Sequence, residues 1–329
     1  MHEYDIAIIG AGAGGLTAAY TAKGFGKKVA LIEKNNPGGE CTWSGCVPSK
    51  ALINIAKDIH IANKFTDIKV DTSEVLNKVR EVIQNVYKEE SPEVLEKDGI
   101  DFIKGFAKFL DKNILEVNGN KIKAKKIIIS TGSSPFIPPI KGIDEVNFLT
   151  NENIFNLEKL PQSIIVLGGG AIGVELSQAL NRLGIKVSLV EMMDSILFRE
   201  EAEIVKILEE KLRSEGVNIH TSAKAVEINE VNNKIILKIE KNKAIDTLEG
   251  DAILLALGRA PNINNINLDK IGVKLSRKGI IVNEYLETSV KGIYAVGDVV
   301  GPYQFSHMAN VQGITAVQNA VLPINKKID

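Results

Sequence analysis

The segment 5–15 reads Asp5-Ile6-Ala7-Ile8-Ile9-Gly10-Ala11-Gly12-Ala13-Gly14-Gly15, a short apolar run that leads directly into a glycine-rich turn. An apolar helix start follows at residues 16–22, and a second apolar run, 29–32, ends at Glu33. This order is typical of a strand, a phosphate-binding turn, a helix and a second strand that ends in an acid.

The same pattern returns in the middle of the chain. The run 163–167 leads into Gly168-Gly169-Gly170-Ala171-Ile172-Gly173, and the run 187–190 ends at Glu191. Glu33 follows Gly10 by 23 positions, and Glu191 follows Gly168 by 23 positions. One glycine pattern is a weak signal, but two copies in this context predict two dinucleotide-binding units. Two ordinary glycine-rich turns are the less favoured alternative.

The turn glycines differ in their expected roles. The helix after each turn presents free N–H groups and its positive dipole end to a pyrophosphate, and Glu33 and Glu191 can accept hydrogen bonds from ribose hydroxyls. The expected roles are a tight turn at Gly10 and Gly168, close backbone approach to the ligand at Gly12 and Gly170, and close helix packing at Gly15 and Gly173.

Length and composition limit the class of protein. A chain of 329 residues suggests two domains. Forty basic residues against 41 acidic ones exclude nucleic-acid binding driven by bulk charge, and 44% hydrophobic residues exclude disorder. Two cysteines are too few for a disulfide framework.

The longest uncharged segment near the start, 6–22, has 17 residues and several glycines, so it is too short and too polar for a membrane span. The residues before it are acidic, whereas a secretory signal begins with basic ones. We therefore expect a cytoplasmic protein with no membrane partner.

Further elements complete the pattern. We predict a helix over 73–97, strands over 101–109 and 114–117, and a strand over 126–132 with a counterpart at 251–258. A last strand, 292–298, stops at Gly297-Asp298, where the aspartate alone would be read as a turn or cap residue.

Both cysteines lie in the segment Gly38-Gly39-Glu40-Cys41-Thr42-Trp43-Ser44-Gly45-Cys46-Val47-Pro48-Ser49-Lys50. Zinc would need two more ligands, and the four histidines, at 2, 60, 220 and 307, form no ligand-spaced cluster, so no metal site is predicted. A structural pair of thiols is the alternative to a redox pair.

Five residues of regular helix would rise about 7.5 Å, more than the roughly 7 Å that a disulfide tolerates between Cα atoms. The segment must therefore be irregular if the cysteines are bonded, and Gly45 helps it to bend. Pro48 suits the first turn of a helix, which would place Cys46 just before a helix N-terminus. The helix dipole favours a thiolate there.

The sequence resembles the FAD-dependent pyridine nucleotide–disulfide oxidoreductases, a family that includes dihydrolipoamide dehydrogenase, glutathione reductase and mercuric reductase. The resemblance rests on both glycine-rich turns, on segment 38–50, and on Gly258-Arg259-Ala260-Pro261-Asn262 and Tyr294-Ala295-Val296-Gly297-Asp298. These motifs follow the family's order over nearly the whole chain. Segment 38–50 is most similar to dihydrolipoamide-dehydrogenase-like and mercuric-reductase-like members.

The resemblance implies an α/β fold with two Rossmann-like dinucleotide-binding domains, in the three-layer FAD/NAD(P)-binding arrangement. An FAD-binding domain would cover 1–148, an NAD-binding domain 149–282, and a return segment, 283–329, would complete the FAD site. The family continues into a C-terminal interface domain that supplies dimer contacts and a His–Glu acid–base pair. The sequence ends at Asp329, so we expect it to lack this domain, and His307 does not match the catalytic histidine.

The resemblance also implies roles for matched residues. The first turn and Glu33 would hold the ADP half of FAD, Asp298 the ribitol, and residues 306–309 would lie near the flavin ring. The second turn would bind the pyridine nucleotide. The implied cofactor-binding residues are Gly10, Gly12, Gly14, Gly15, Glu33, Lys34, Gly39, Thr42, Lys50, Ala107, Thr131, Gly132, Gly168, Gly170, Ala171, Ile172, Gly173, Glu191, Val226, Gly258, Arg259, Gly297, Asp298, Ser306, His307 and Ala309.

The implied catalytic residues are Cys41, Cys46, Lys50 and Glu175. Cys46 would be the thiolate against the flavin and Cys41 the thiol that exchanges with substrate. Lys50 would lie beside flavin N5, paired with Glu175 because an unpaired buried ammonium is costly.

The second cofactor is expected to be NAD rather than NADP. A carboxylate at Glu191 accepts from a ribose 2′-hydroxyl and repels a 2′-phosphate. Met192 and Met193 offer no arginine to receive a phosphate. Ala171 stands where glutathione-reductase-like members have an aromatic gate.

The leading hypothesis is hydride transfer between NADH and FAD, with electrons passing to a Cys41–Cys46 disulfide and a lipoamide-like disulfide as substrate. Steady turnover is expected to be weak without the interface domain. Mercuric ion is the runner-up substrate, and a cofactor-binding fragment without disulfide turnover is the rival from another class.

Overall fold

The computed structural model describes residues 2–323 and 325–328. The helices are α1 (Ala13–Gly24), α2 (Gly39–Trp43), α3 (Cys46–Ala62), α4 (Thr72–Tyr87), α5 (Pro92–Lys97), α6 (Ala171–Arg182), α7 (Ala202–Glu215) and α8 (Ser306–Val321). The strands are β1 (His2–Ile9), β2 (Val29–Glu33), β3 (Asp101–Lys104), β4 (Ala107–Asp111), β5 (Ile114–Val117), β6 (Asn120–Ile129), β7 (Ser133–Pro135), β8 (Ser163–Leu167), β9 (Lys186–Val190), β10 (Asn218–His220), β11 (Lys224–Val231), β12 (Lys234–Lys241), β13 (Ala244–Gly250), β14 (Ala252–Leu255), β15 (Arg259–Pro261), β16 (Leu275–Ser276), β17 (Gly279–Ile280) and β18 (Ile293–Ala295).

The chain forms two compact units, each built from separated segments. The first unit contains Met1–Trp43, Gln84–Ser134 and Ala260–Asp329, and the second contains Ser44–Ile83 and Pro135–Arg259. Segment 44–83 thus groups with the second unit and 260–282 with the first, whereas the sequence suggested divisions at 148 and 282. The two cysteines belong to different units.

The first unit is built on a sheet with the strand order β3-β2-β1-β6-β5-β4. Strand β6 pairs with antiparallel β5 at its start and with parallel β18 at its end. Both faces of β1 are buried: Ala7 and Ile9 pack into one apolar cluster, and Ile6 and Ile8 into another. Side chains alternate along a strand, so this run is apolar throughout because helices or strands cover both faces.

The second unit contains the parallel sheet β10-β9-β8-β14 and the antiparallel sheet β11-β12-β13. The parallel sheet repeats the centre of the first unit. Leu167 at the end of β8 aligns with Val190 and Leu255, as Ile9 aligns with Ile32 and Ile129. The predicted correspondence of the runs 126–132 and 251–258 is confirmed at strands β6 and β14.

Two expected elements are divided in the structure. The predicted helix 73–97 is broken between α4 and α5, because Pro92 cannot continue a helix and instead begins the next one. The predicted strand 101–109 is also two strands. Its first part pairs with β2, and its second part, after Gly105, pairs with β5.

Among the described residues, we find no helix with the length and apolar character needed to cross a membrane.

Candidate functional site

The two glycine-rich turns have the same backbone geometry. Gly10 and Gly168 have φ values of +102° and +112°, in the left-handed region where a side chain is strained. A Cβ atom added to Gly15 would collide with the carbonyl oxygen of Gly10, and one added to Gly173 with that of Gly168. These four positions need glycine because the helix starts directly against the strand that precedes it.

The acid after each second strand is held by the turn of its own unit. Glu33 accepts hydrogen bonds from the backbone N–H groups of Ala11, at 2.9 Å, and Asn35, at 2.8 Å. Glu191 accepts from Gly169 and Met193, both at 2.7 Å. Each carboxylate is thus fixed beside the N-terminus of a helix while its remaining lone pairs stay available for a ligand's hydroxyl groups.

The surroundings of the turns differ. Gly39 lies against Gly12, so closely that a Cβ atom on Gly39 would be 2.5 Å from the Gly12 Cα atom. A Cβ atom on Gly170, the counterpart of Gly12, would meet nothing within 4 Å. This open space in front of α6 and the backbone cradle at Gly12 both fit a pyrophosphate that needs close backbone approach. The residues present therefore fit two dinucleotides.

The expected pair of Lys50 and Glu175 is present in the second unit. The Lys50 ammonium donates to both carboxylate oxygens of Glu175, at 2.8 and 2.6 Å. Cys46 is the first residue of α3, and Lys50 lies one turn later on the same helix, while Glu175 lies in α6 directly after the second glycine-rich turn. An ion pair thus connects α3, which begins with Cys46, to α6, which follows the second glycine-rich turn.

The cysteines have different local environments. Cys41 is partly buried within the five-residue helix α2, and Cys46 is exposed at the N-terminus of the 17-residue helix α3. The sequence placed Cys46 just before this helix, and the structure begins the helix at Cys46 itself, with Gly45 as its cap residue. The longer helix offers the larger dipole to a thiolate.

Helix α2 is anchored within the first unit by its last two residues. Thr42 donates its hydroxyl hydrogen to Glu90, at 2.8 Å. The Trp43 indole N–H donates to the Pro37 carbonyl oxygen at 2.7 Å, and its ring lies 4.9 Å from that of Tyr87. Glu90 was not among the predicted site residues, because no sequence motif distinguishes it from the neighbouring acids.

Asp298 lies in the turn that follows β18, after Gly297 with a φ of +76°. Its carboxylate accepts a hydrogen bond from the Ser133 hydroxyl at 2.6 Å. Thr131 donates to the Asn262 carbonyl oxygen at 2.7 Å. The first unit therefore gathers the ends of β6 and β18 at one edge of its sheet. Ser133 and Asn262 were not predicted as site residues, although Ser133 directly follows the predicted strand 126–132 and Asn262 ends the motif 258–262.

The remaining predicted residues are more dispersed. Ala107 is buried in the core of the first unit, so that only its backbone could contact a ligand. Val226 lies at a bulge of β11, and Gly258 and Arg259 follow β14. The other predicted residues have these positions: Lys34 exposed after β2, Gly14 packed against Ala309, Gly132 after β6, Ala171 and Ile172 exposed at the start of α6, and Ser306 and His307 at the start of α8.

In the part of the chain that the structure describes, no three His, Cys, Asp or Glu side chains are grouped so that they could hold a metal ion.

Comparison with known proteins identifies the family to which the chain is similar. The model of the pyridine nucleotide-disulphide oxidoreductases matches residues 4–322. A dihydrolipoyl dehydrogenase of Acholeplasma laidlawii is 37% identical over 328 residues, which cover 96% of each chain. A mercuric reductase of Lysinibacillus sphaericus is 33% identical over 335 residues, 99% of this chain and 61% of that protein.

Among solved structures, the Cu(II) complex of the HOCl-induced flavoprotein disulfide reductase RclA from Escherichia coli is similar, with a TM-score of 0.89 and 30% sequence identity. The match covers 99% of this chain and 73% of that one. The chain thus spans about three fifths of the mercuric reductase that it matches. The doubled turn, the family model and these relatives show that the chain belongs to the pyridine nucleotide-disulphide oxidoreductase family.

Proposed function

We propose that the chain is a flavoprotein disulfide oxidoreductase that uses NADH and FAD, with Cys41 and Cys46 as its redox pair and a lipoamide-like disulfide as its partner. Members of its family use FAD and NAD(P)H. When bound, these cofactors supply the hydride and two-electron chemistry that side chains lack. A cytoplasmic location, where thiols stay reduced, suits such an enzyme.

One observation carries this proposal. Helix α3 begins with Cys46, and one turn later its Lys50 is paired with Glu175 of α6, the helix that follows the second glycine-rich turn. The position of this ion pair favours a functional role, because it connects the helix that begins with Cys46 to the helix that follows the second glycine-rich turn. The pair fixes the Lys50 ammonium on the helix that begins with Cys46, one turn from that residue, and positive charge near a thiol favours the thiolate.

The two cysteines would divide the work. Opening a Cys41–Cys46 disulfide with two electrons and one proton gives one thiol and one thiolate. The N-terminus of α3 favours the negative charge on Cys46. Cys41, which lies within the short helix α2 instead of at the start of a long helix, would then be the thiol that exchanges with an incoming disulfide.

The preference for NADH rests on Glu191. Its carboxylate is held by Gly169 and Met193 at the end of the strand where the ribose of a nucleotide lies in this fold. A second negative group, such as a 2′-phosphate, would be repelled there.

The test is NADH consumption by the purified chain with lipoamide, with glutathione disulfide and with Hg(II) offered separately. We expect lipoamide to be reduced, and we expect Cys41→Ser to abolish this turnover. Reduction of Hg(II) alone would favour the mercuric reductase alternative. Flavin that binds but gives no turnover with any acceptor would favour a cofactor-binding fragment.

A further inference from the structure

The carboxyl group of Glu90 lies against the helix that carries Cys41. Its Oε2 atom accepts the hydroxyl hydrogen of Thr42 at 2.8 Å, and Thr42 is only 2% exposed. The same oxygen would be 2.5 Å from a Cβ atom on Gly38, the residue before α2. The partly buried carboxyl group therefore lies against both the residue that precedes α2 and the fourth residue of the helix. Cys41 is the residue adjacent to Thr42, with Cα atoms about 3.8 Å apart.

This arrangement is fixed on more than one side. A helix of five residues is not stable by itself, so α2 depends on its tertiary contacts. The Trp43 indole donates to Pro37 and its ring packs on Tyr87, three residues before Glu90. Tyr87 and Glu90 thus both contact α2, and these contacts hold the carboxyl group against the helix that carries Cys41.

Burial also changes the charge state of this carboxyl group. Burial raises the pKa of Glu90, and the hydrogen bond from Thr42 opposes this with a smaller effect. Tyr20 of α1 is a further titratable group within the influence of Glu90, and its hydroxyl donates to Asp98 at 3.0 Å. Burial, Asp98 and Glu90 raise the pKa of Tyr20 to about 12, so Tyr20 is neutral when Glu90 titrates.

We propose that Glu90 is a positioning residue that controls the protonation of Cys41. Ionised Glu90 places a negative charge against Thr42, one residue along the chain from Cys41, in a partly buried region where a charge is weakly screened. A second negative charge on Cys41 is then disfavoured, so the proton of the reduced pair stays on Cys41 and the thiolate forms on Cys46. The inference rests on the proposed function in treating Cys41 and Cys46 as the redox pair.

The test measures alkylation of each cysteine by iodoacetamide in the chemically reduced holoprotein, with the modified peptides quantified by mass spectrometry. Glu90→Gln removes the charge and keeps the shape of the side chain. At about pH 7.5 we expect Cys41 to react about threefold to tenfold faster in this variant, because a neighbouring like charge shifts an ionisation by up to about one pKa unit. The rate at Cys46 should change less than about twofold.

The matched control is Glu89→Gln, which removes the same charge from an exposed neighbour. It should leave the rate at Cys41 within about twofold of the wild type. Equal rates at Cys41 in the two variants would overturn the proposal. A slower rate in Glu90→Gln would also overturn it, because Glu90 would then act as a base toward Cys41.

A second measurement keeps the proposal testable if Glu90→Gln disturbs the packing of α2. In the wild-type chain, the logarithm of the Cys41 rate plotted against pH should show a break where Glu90 titrates, and the plot for Cys46 should not. The break should persist in Glu90→Asp, which keeps the charge. Parallel plots for the two cysteines would contradict the proposal. Since the protein is reduced chemically, these rates do not depend on whether NADH opens the disulfide.

Discussion

The two glycine-rich turns are equivalent in backbone but not in surroundings. Every contact that holds Glu33 has its counterpart 158 residues later at Glu191, including the donors Ala11 and Gly169. In the first unit, however, Gly12 is covered by Gly39, and Gly14 by Ala309 of α8. In the second unit the matching positions are open, and Ile172 is 37% exposed.

This difference indicates how one motif can serve two cofactors. A turn that is closed by other parts of its own unit suits a group that stays bound through many reaction cycles. A turn that remains open suits a nucleotide that binds and leaves in each cycle. We therefore propose that the first turn holds the resident FAD and the second the exchanging pyridine nucleotide.

The largest effect should come from a methyl group placed against the first turn, at Gly39, compared with one placed in the second turn, at Gly170. In Gly39→Ala the new Cβ atom falls 2.5 Å from the Gly12 Cα atom, at a φ of +60°. We expect flavin affinity to fall more than about a hundredfold. In Gly170→Ala the methyl group enters open space, so flavin content and stability should be unchanged while KM for NADH rises about tenfold. Equal flavin loss in both variants, measured by absorbance after dialysis, would remove the distinction between the turns.

The next effect concerns Glu215, the last residue of α7 in the second unit, which forms ion pairs with Arg182 and Lys211. The Arg182 side chain donates to both carboxylate oxygens of Glu215, at 2.8 and 2.7 Å, and the Glu215 side chain is 3% exposed. Arg182 lowers the pKa of Glu215 from 4.5 to about 2. The stability that this contributes is complete above pH 4.5 and is lost as the pH falls toward 2.

Glu215→Gln should therefore lower the free energy of unfolding by about 1–3 kcal/mol at neutral pH and by less at pH 3. The measurement is urea unfolding at both pH values. Glu209→Gln is the control, because Glu209 pairs with Arg213 through more exposed side chains, and it should cost less than about 1 kcal/mol. An effect of Glu215→Gln that does not depend on pH would contradict the assignment.

A smaller effect is expected on the preference of the second turn for NADH over NADPH. NADH should reduce the wild-type protein at least about tenfold more efficiently than NADPH, which corresponds to about 1.4 kcal/mol. Glu191→Gln should lower this ratio of efficiencies, because it removes the charge that repels the 2′-phosphate of NADPH. The measurement is the ratio of the kcat/KM values with NADH and NADPH. A ratio of one in the wild type would show that Glu191 does not discriminate between the two nucleotides.

The smallest effect on stability should come from the Lys50–Glu175 pair. Its side chains are 59% and 42% exposed, so Lys50→Met should change the free energy of unfolding by less than about 1 kcal/mol. The rate at which NADH opens the disulfide should nevertheless fall by at least about tenfold. A loss of stability that accompanies the loss of rate would indicate that the pair is structural.

Much of this arrangement could be predicted from the sequence because local patterns determine it. The strands and helices around both turns, and the roles of Gly15 and Gly173 in packing, follow from glycine spacing and apolar runs. The break at Pro92 could also be predicted from the proline itself, although the predicted helix 73–97 ran through it. Helix α3 began one residue earlier than expected, which is a small difference because helix ends vary.

The features that were missed depend on contacts between distant segments. Thr42 and Glu90 are 48 residues apart, and Ser133 and Asp298 are 165 residues apart. No rule of sequence spacing connects positions so far apart. In the sequence, an acid such as Glu90 cannot be distinguished from a neighbouring acid that is exposed to solvent. The different coverage of Gly12 and Gly170 likewise depends on where Gly39 is placed by the tertiary fold.

The most direct test of the central claim counts thiols after anaerobic addition of one equivalent of NADH to the oxidised, flavin-loaded protein. The account predicts about two new thiols per chain, located by alkylation and peptide mapping at Cys41 and Cys46, and none in Cys41→Ser or Cys46→Ser. Flavin reduction without new thiols, or equal thiol release in either single variant, would contradict the assignment of these cysteines as the redox pair.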